Sequence, residues 1–209
     1  MIGLSSLRCD LDGWQEELAS EDERRFTNVV PDYLSLHFFA LEPDLPVGMS
    51  NIEEIRHLYR EGIHQAGGAL ISVELVYLDH EPALELIFKL PQEPSGMSYV
   101  ASITLPKRDF SFVIKFQCPE YGTTGLREAL VIEKLGPENL LSPDGEFINW
   151  QQDPYDPGIE APLLRNKAES VEWDEIVPDH PLSRVRRYLA HLYETCGIGG
   201  EVKTAAPFG

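Results

Sequence analysis

Four consecutive stretches with a two-residue period constrain the fold more than any other feature of the sequence. They are ALISVELVYLD from Ala69, ALELIFKL from Ala83, SYVASITL from Ser98 and FSFVIKFQC from Phe110. Apolar residues alternate with more polar ones, as expected for strands whose two faces meet different surroundings. The connections HEP, PQEPSGM and PKRD are short and rich in turn-forming residues. These runs predict an antiparallel meander with one face on a core.

Three further elements flank the meander. YLSLHFFAL, from Tyr33, is rich in β-forming residues and is stopped by the prolines of EPDLP, which predicts an earlier strand. SNIEEIRHLYREGIHQAGG, from Ser50, repeats apolar residues at helical spacing until Gly67. DHPLSRVRRYLAHLYETCG predicts a C-terminal helix with Asp179 as its cap and Pro181 in its first turn. The fold class is therefore α+β: an antiparallel meander sheet of about five strands, with a helix after strand one and a C-terminal helix packed on it.

The N-terminal part differs from the core in composition. Residues 1–31 are polar and acidic and hold few large apolar anchors. They predict a loosely attached acidic arm with one short helix near Gly13 to Arg25. Residues 32–135 form the predicted α+β core domain. Within it, the stretch 126–135 fits either a helix or a strand, because its apolar residues do not gather on one helical face.

The C-terminal part changes character again. Residues 136–181, hereafter the acidic segment, are rich in carboxylates and prolines. This composition predicts irregular chain that runs over the surface. Residues 182–197 follow as the C-terminal helix that packs on the core. Residues 198–209 are predicted to be a mobile tail.

The net charge of −18 restricts the possible partners. Nucleic acid and anionic membrane surfaces would repel such a chain, whereas a basic protein would be attracted. No window reaches the roughly 20 apolar residues that a membrane helix needs, and the N terminus lacks the pattern of a secretory signal. The three cysteines lie far apart and form no CxxC. We therefore expect no disulfide framework and a reduced, cytoplasmic protein.

No catalytic or metal-binding motif stands out in the sequence. There is no G-x-S-x-G, no cysteine beside a histidine and no P-loop pattern. Glu54, His57 and His64 share one side of the predicted helix, but such a group is typical of a solvated face. DPYDPG, from Asp153, offers carboxylates to a hard cation, yet Asp-Pro is also a common turn starter. We expect no catalytic residue, no metal and no cofactor, which favours a protein other than an enzyme.

The stretch QCPEYGTTGLREA, from Gln117, is the densest group of reactive residue types. Cys118 continues the core-facing parity of the last strand, which predicts a buried and unreactive thiol. Most of its neighbours fit a turn and a helix start. Tyr121 and Arg127 have no structural role that the sequence assigns. They are therefore predicted binding residues, together with three from the acidic segment: Asp153, Tyr155 and Asp156.

The element order resembles the PsbP-like fold group. The resemblance covers Asp32 to Leu135, where a strand, a helix and a four-stranded meander follow one another. That group includes photosystem extrinsic proteins, a nuclear Ran-release factor and small bacterial lipoproteins. No motif of the group is matched residue by residue. The resemblance implies a protein-binding or accessory role rather than catalysis.

Three hypotheses on function follow. The favoured one is a non-catalytic protein-interaction or accessory domain, of the immunity or adaptor type, with an acidic surface. The alternative is a small-molecule binder or enzyme with its site between the sheet and residues 136–182, where Glu120 joins the candidate residues. The third is a subunit that associates with itself through apolar residues on the second face of the sheet: Val76, Leu78, Val100 and Val113. The sequence leaves the oligomeric state open.

Overall fold

A computed structural model describes residues 2–30, 32–45 and 48–209 of the chain. The second proline of the EPDLP stop, Pro46, lies outside the described residues. The strands are β1 Leu7–Arg8, β2 Gln15–Ala19, β3 Glu23–Thr27, β4 Tyr33–Phe39, β5 Ala69–Leu78, β6 Glu81–Pro91, β7 Met97–Lys107, β8 Phe110–Pro119 and β9 Gly197–Ile198. The α-helices are α1 Ile52–Gln65, α2 Leu126–Leu135, α3 Pro181–Thr195 and α4 Gly200–Lys203. No helix in these ranges is long and apolar enough to cross a membrane.

The predicted meander is present as strands β5 to β8. Each strand pairs antiparallel with the next, and β4 pairs with β8. The turn between β5 and β6 consists of Asp79 and His80, with φ angles of 46° and 70°. Two residues with positive φ form the hairpin turn whose twist matches that of the flanking strands. The sheet follows the order β2-β3-β4-β8-β7-β6-β5.

The N-terminal residues depart from the expected fold. Instead of a short helix near Gly13 to Arg25, they form the hairpin β2–β3, and β3 pairs with β4. The main sheet therefore has seven strands rather than about five. Pairing at a sheet edge is made by backbone groups and needs few apolar side chains. Phe26, which is 3% exposed, is the residue of this hairpin that enters the core. The other residues of the two strands are mostly polar, and this composition concealed the strands.

Helices cover both faces of the sheet. On one face, α3 packs against β7 and β8, and Leu182, Val185 and Leu189 join the main apolar core there. On the other face, α1 packs against β5, where Ile55 and Ile63 belong to a second apolar cluster. The predicted packing of the C-terminal helix on the sheet is confirmed. Two residues of the suggested self-association surface are buried within the single chain, namely Leu78 and Val100.

The chain after β8 forms a helix and then an irregular layer. The open alternative for residues 126–135 is decided in favour of helix α2. In the acidic segment, short 3-10 turns at Pro137–Asn139, Lys167–Glu169 and Val171–Trp173 interrupt otherwise irregular chain. A third apolar cluster joins α2 to this segment through Val131, Leu140, Trp150 and Ala168. Whether the predicted segments fold as separate units stays a prediction.

The two ends of the chain are joined by a disulfide, contrary to the expectation of reduced cysteines. Cys9 and Cys196 are bonded, and β1 pairs with β9 beside them. The tail is also more ordered than predicted, because α4 follows β9 and Val202 is fully buried. Sequence separation concealed the bond, since only tertiary folding brings residues 187 positions apart together.

Loss of this disulfide is expected to destabilise the fold. A bond that closes so long a loop restricts the unfolded chain, and removing a native disulfide costs roughly 2–5 kcal/mol. The Cys9→Ser variant should therefore lower the free energy of unfolding in urea by that amount. Reducing agent should destabilise the wild type similarly and leave the variant unchanged. Three titratable thiols in the denatured, unreduced wild type would show that the bond does not form.

Candidate functional site

The predicted binding residue Arg127 is a structural hub. Its side chain is fully buried, and its guanidinium ends near three separate parts of the chain. It donates to the carbonyls of Ala168 at 2.5 Å and Ser170 at 2.9 Å. It also donates to Ser183 Oγ at 2.7 Å and to Asp174 Oδ1 at 2.8 Å. Arg127 therefore ties α2 to the acidic segment and to α3, which is the role that the sequence did not reveal.

Tyr121 lies over a second buried arginine. Tyr121 is 46% exposed, and the guanidinium carbon of Arg184 lies 5.8 Å from the centroid of its ring. Arg184 forms a bidentate pair with Asp32 at 2.7 and 2.8 Å. Burial raises the pKa of Tyr121 to about 12, and the charge of Asp32 adds to the effect. The phenol is therefore neutral at physiological pH.

Asp153 and Tyr155 fasten the acidic segment to α1 and β5. The Asp153 carboxylate receives two hydrogen bonds from Arg60, at 2.8 and 2.9 Å. It also accepts the amides of Tyr155 and Asp156, which makes DPYDPG a turn, as its Asp-Pro pairs suggested. Burial raises the pKa of Asp153, but the bonds from Arg60 and the two amides outweigh it, so the net pKa is lowered.

The Tyr155 hydroxyl is bound to the edge strand of the sheet. It accepts the amide of Val73 at 2.7 Å and lies 2.7 Å from a carboxylate oxygen of Glu74. The guanidinium of Arg56 stacks 3.8 Å from the centre of its ring. The five predicted site residues therefore do not converge. One turn holds Asp153, Tyr155 and Asp156, while Tyr121 and Arg127 serve other contacts.

A buried polar group that the sequence did not indicate lies where β6 and β7 meet the segment. Lys89 Nζ lies 2.8 Å from Glu169, and the Tyr99 hydroxyl donates to the same carboxylate at 2.9 Å. Both side chains of the ion pair are at most 2% exposed. As a polar residue of an alternating run, Lys89 would be expected on the wetter face. It instead shares its face with Ala83 and Ile87 of the main apolar core, where Glu169 balances its charge.

Among the residues that the structure describes, Glu120, Glu128 and His180 form a group with the residue types of a metal site. One ligand atom of each lies within 4.8 Å of the others. His180 is the N-cap of α3 instead of the predicted Asp179, and its Nδ1 accepts the amide of Leu182 at 3.2 Å. The hydrogen of the neutral ring therefore sits on Nε2. Coordination through Nε2 would require that proton to leave and the cap bond to be lost, so we assign no metal to this group.

Two of these three residues hold unsatisfied polar atoms. His180 Nε2 and Glu128 Oε2 are buried, and neither has a hydrogen-bond partner in the described residues. Burial lowers the pKa of His180 to about 3, and the charge of Arg127 acts in the same direction. Burial raises the pKa of Glu128, to which the charges of Glu120 and Glu169 contribute.

A groove of about 520 Å³ opens within the acidic segment. Trp150, Tyr155 and Trp173 are its aromatic lining residues, of which Trp150 is only 6% exposed, and Arg165 and Lys167 lie along its wall. Asp153 also lines the groove, but its carboxylate is occupied by Arg60. The groove thus contains two members of the predicted set, Asp153 and Tyr155, and its cations were not among the predicted site residues.

Comparison with known proteins leaves the family open. No protein-family model and no curated protein matches the sequence. The chain is similar to a Bacteroides thetaiotaomicron protein (14% identity, TM-score 0.34) over 53% of its own length and 37% of that protein's. It is similar to a Pseudomonas aeruginosa protein of unknown function (14%, TM-score 0.33) over 62% and 81% of the two chains. It is also similar to the PsbP of Synechocystis sp. PCC 6803 (14%, TM-score 0.35) over 64% and 89%.

The PsbP-like resemblance inferred from the element order thus recurs among the structural matches. The TM-scores are low, so no residue role or activity is transferred from these proteins.

Asp153→Ala is expected to destabilise the protein strongly. The change leaves the Arg60 guanidinium buried without its counter-charge, which costs about 3–5 kcal/mol. Urea unfolding measures the loss, and Asp156→Ala is the matched control in the same turn. Asp156 is exposed and its carboxylate accepts the Gly158 amide, so this variant should lose less than about 1 kcal/mol. Equal losses in both would show that the buried ion pair does not anchor the segment.

Glu128→Gln is expected to stabilise the protein near neutral pH. Because the folded-state pKa of Glu128 is raised, its ionisation opposes folding once the pH exceeds the ordinary glutamate value. The glutamine variant should gain stability at about pH 7.5 and lose that gain below about pH 4, where both states are protonated. Glu133→Gln, at an exposed position of α2, is the control. A gain that is independent of pH would contradict this assignment.

Proposed function

We propose that this chain is a non-catalytic interaction domain that binds a basic protein through its acidic segment. The observation that carries the proposal is the pairing of exposed charge with exposed apolar side chains along that segment. The exposed carboxylates are Glu138, Asp144, Glu146, Asp156, Glu160, Glu172, Glu175 and Asp179. The exposed apolar side chains are Phe147, Ile148, Val171 and Ile176. Charge of one sign steers a partner of the opposite sign, and apolar contacts then provide affinity.

The distribution of the cations supports an acidic surface. Arg60, Lys89, Arg127 and Arg184 are all buried and each is paired with a carboxylate inside the fold. These pairs are neutral as units, so the excess of carboxylates in a chain of net charge −18 falls on the surface. Such a surface repels nucleic acid and anionic lipid, and it favours a basic protein.

The interior supports a role other than catalysis. A catalytic acid, base or nucleophile must reach its substrate. Lys89, Tyr99 and Glu169 bind one another away from solvent. Cys118 is fully buried, and burial raises the pKa of its thiol. A neutral, enclosed thiol of this kind acts as a small apolar residue rather than a nucleophile.

The cellular location stays a prediction. The cysteine spacing favoured a cytoplasmic protein, but the Cys9–Cys196 bond favours an oxidising environment, where disulfides persist. Fractionation of the native host with an antibody against the chain distinguishes the two. Recovery with the reduced cytoplasmic fraction would support the prediction from sequence.

Affinity capture from native host extract tests the interaction, with two matched triple variants. In the first, Glu175→Gln, Ile176→Ser and Asp179→Asn remove two charges and one exposed apolar side chain from the acidic segment. In the second, the same types of change are made on α1 at exposed positions: Glu54→Gln, Leu58→Ser and Glu61→Gln. A basic protein should bind the wild type and the α1 variant, and bind the segment variant roughly tenfold less. Raised salt should weaken the binding.

Three outcomes would contradict the proposal. One is that both triple variants retain the same proteins, which would place the contact elsewhere. Another is that the retained protein is acidic or that its binding is insensitive to salt. The last is that the wild-type chain retains nucleic acid, since a surface of this charge should repel it.

A further inference from the structure

The groove of the acidic segment has the size and rigidity of a small-molecule site. Its volume of about 520 Å³ falls within the range of roughly 300–1,000 Å³ that is typical of ligand pockets. Its floor is continuous with the third apolar cluster, to which Leu135, Leu140 and Trp150 belong. Its shape is therefore set by packed side chains rather than by a free loop.

Backbone pairing fixes the wall that carries the cations. The amide of Lys167 donates to the carbonyl of Trp150 at 3.0 Å, and the amide of Gln152 donates to the carbonyl of Arg165 at 2.8 Å. The indole of Trp173 donates to the Lys167 carbonyl at 3.1 Å. These bonds hold residues 165–167 against residues 150–152, so the backbone positions of Arg165 and Lys167 are fixed.

The two cations of the wall are left without carboxylate partners. In the described part of the chain, neither Arg165 nor Lys167 takes part in an ion pair, although carboxylates outnumber cations about twofold. Of the carboxylates that line the groove, Asp153 is neutralised by Arg60 and leaves only Glu172. The groove is therefore locally positive within an acidic protein. At physiological salt, charges beyond about 8 Å are screened. The electrostatic energy of an anion bound in the groove would therefore depend mainly on Arg165 and Lys167.

A further guanidinium lies near Arg165. Burial lowers the pKa of Arg186, its ion pair with Asp174 acts in the opposite direction, and the charges of Arg127 and Arg165 act in the same direction as burial. Arg165 thus lies close enough to Arg186 for the two charges to interact. An anion beside Arg165 and Lys167 would relieve the repulsion between these like charges and gain charge-assisted hydrogen bonds.

We propose that the groove binds a small organic anion with a planar apolar body. The anionic group would lie between Arg165 and Lys167, and the planar body would lie against the indole of Trp173, next to the small exposed part of Trp150. Aromatic faces bind flat apolar groups, and a guanidinium binds a carboxylate, sulfonate or phosphate through two parallel bonds. This site differs from the interaction proposed above in its cations and in taking a small ligand, although Glu172 borders both.

Two probes with the same ring and opposite charge test the proposal: 1-naphthalenesulfonate and 1-naphthylmethylammonium. Binding is followed by NMR through the indole N–H signals of ¹⁵N-labelled full-length protein. The chain has three tryptophans, of which Trp14 packs on Phe116 and Tyr188 in the main core. The sulfonate should shift the Trp150 and Trp173 signals and leave the Trp14 signal in place. The ammonium probe should bind at least roughly tenfold more weakly.

Matched variants test whether Arg165 and Lys167 bind the anionic group. Arg165→Gln with Lys167→Gln should weaken sulfonate binding roughly tenfold or more, as expected for lost bonds to charged groups. Lys115→Gln changes a cation on the sheet that also has no carboxylate partner among the described residues, and it should leave the affinity unchanged. An unchanged Trp14 signal in each variant verifies the fold. Equal affinity for the two probes, shifts centred on Trp14, or insensitivity to the double variant would overturn the proposal.

Discussion

Buried ion pairs fasten the acidic segment to the rest of the molecule, and the architecture outside the sheet depends on them. Each pair joins a cation on a regular element to a carboxylate of the segment: Lys89–Glu169, Arg127–Asp174 and Arg60–Asp153. The acidic segment has many carboxylates and prolines and few apolar residues, so burial of apolar side chains alone would not determine its conformation. Any other conformation of the segment would leave the buried cations without their carboxylates, and an uncompensated buried charge is strongly unfavourable.

The same pairs divide the charge of the protein between interior and surface. Cations that could balance surface carboxylates are enclosed with partners of their own. The outside is left acidic, while Arg165 and Lys167 remain as a small positive area along the groove. One arrangement thus accounts for both proposed kinds of recognition, a broad acidic surface for a basic protein and a local site for a small anion.

The connection from β8 to α2 shows how a reactive-looking stretch can be structural. The Glu120 carboxylate accepts the amides of Met97 at 2.7 Å and Gly125 at 3.2 Å, which closes the turn. Arg127 holds the helix that follows against the segment and α3. The residue types that suggested chemistry are used to join elements, and their neighbour Cys118 lies in the core.

The sequence alone determined the local elements in which side-chain periodicity reflects burial. Strands β4 to β8, helices α1 and α3 and the core-facing parity of Cys118 follow from apolar spacing, because one face of each element must leave water. The β2–β3 hairpin did not follow, since edge strands are held by backbone bonds that composition does not record. The Cys9–Cys196 bond, the burial of Lys89 and the convergence of Glu120, Glu128 and His180 depend on residues distant in sequence. Only the tertiary structure decides such contacts, because the partner that makes a buried charge or a cysteine bond favourable is supplied by the fold.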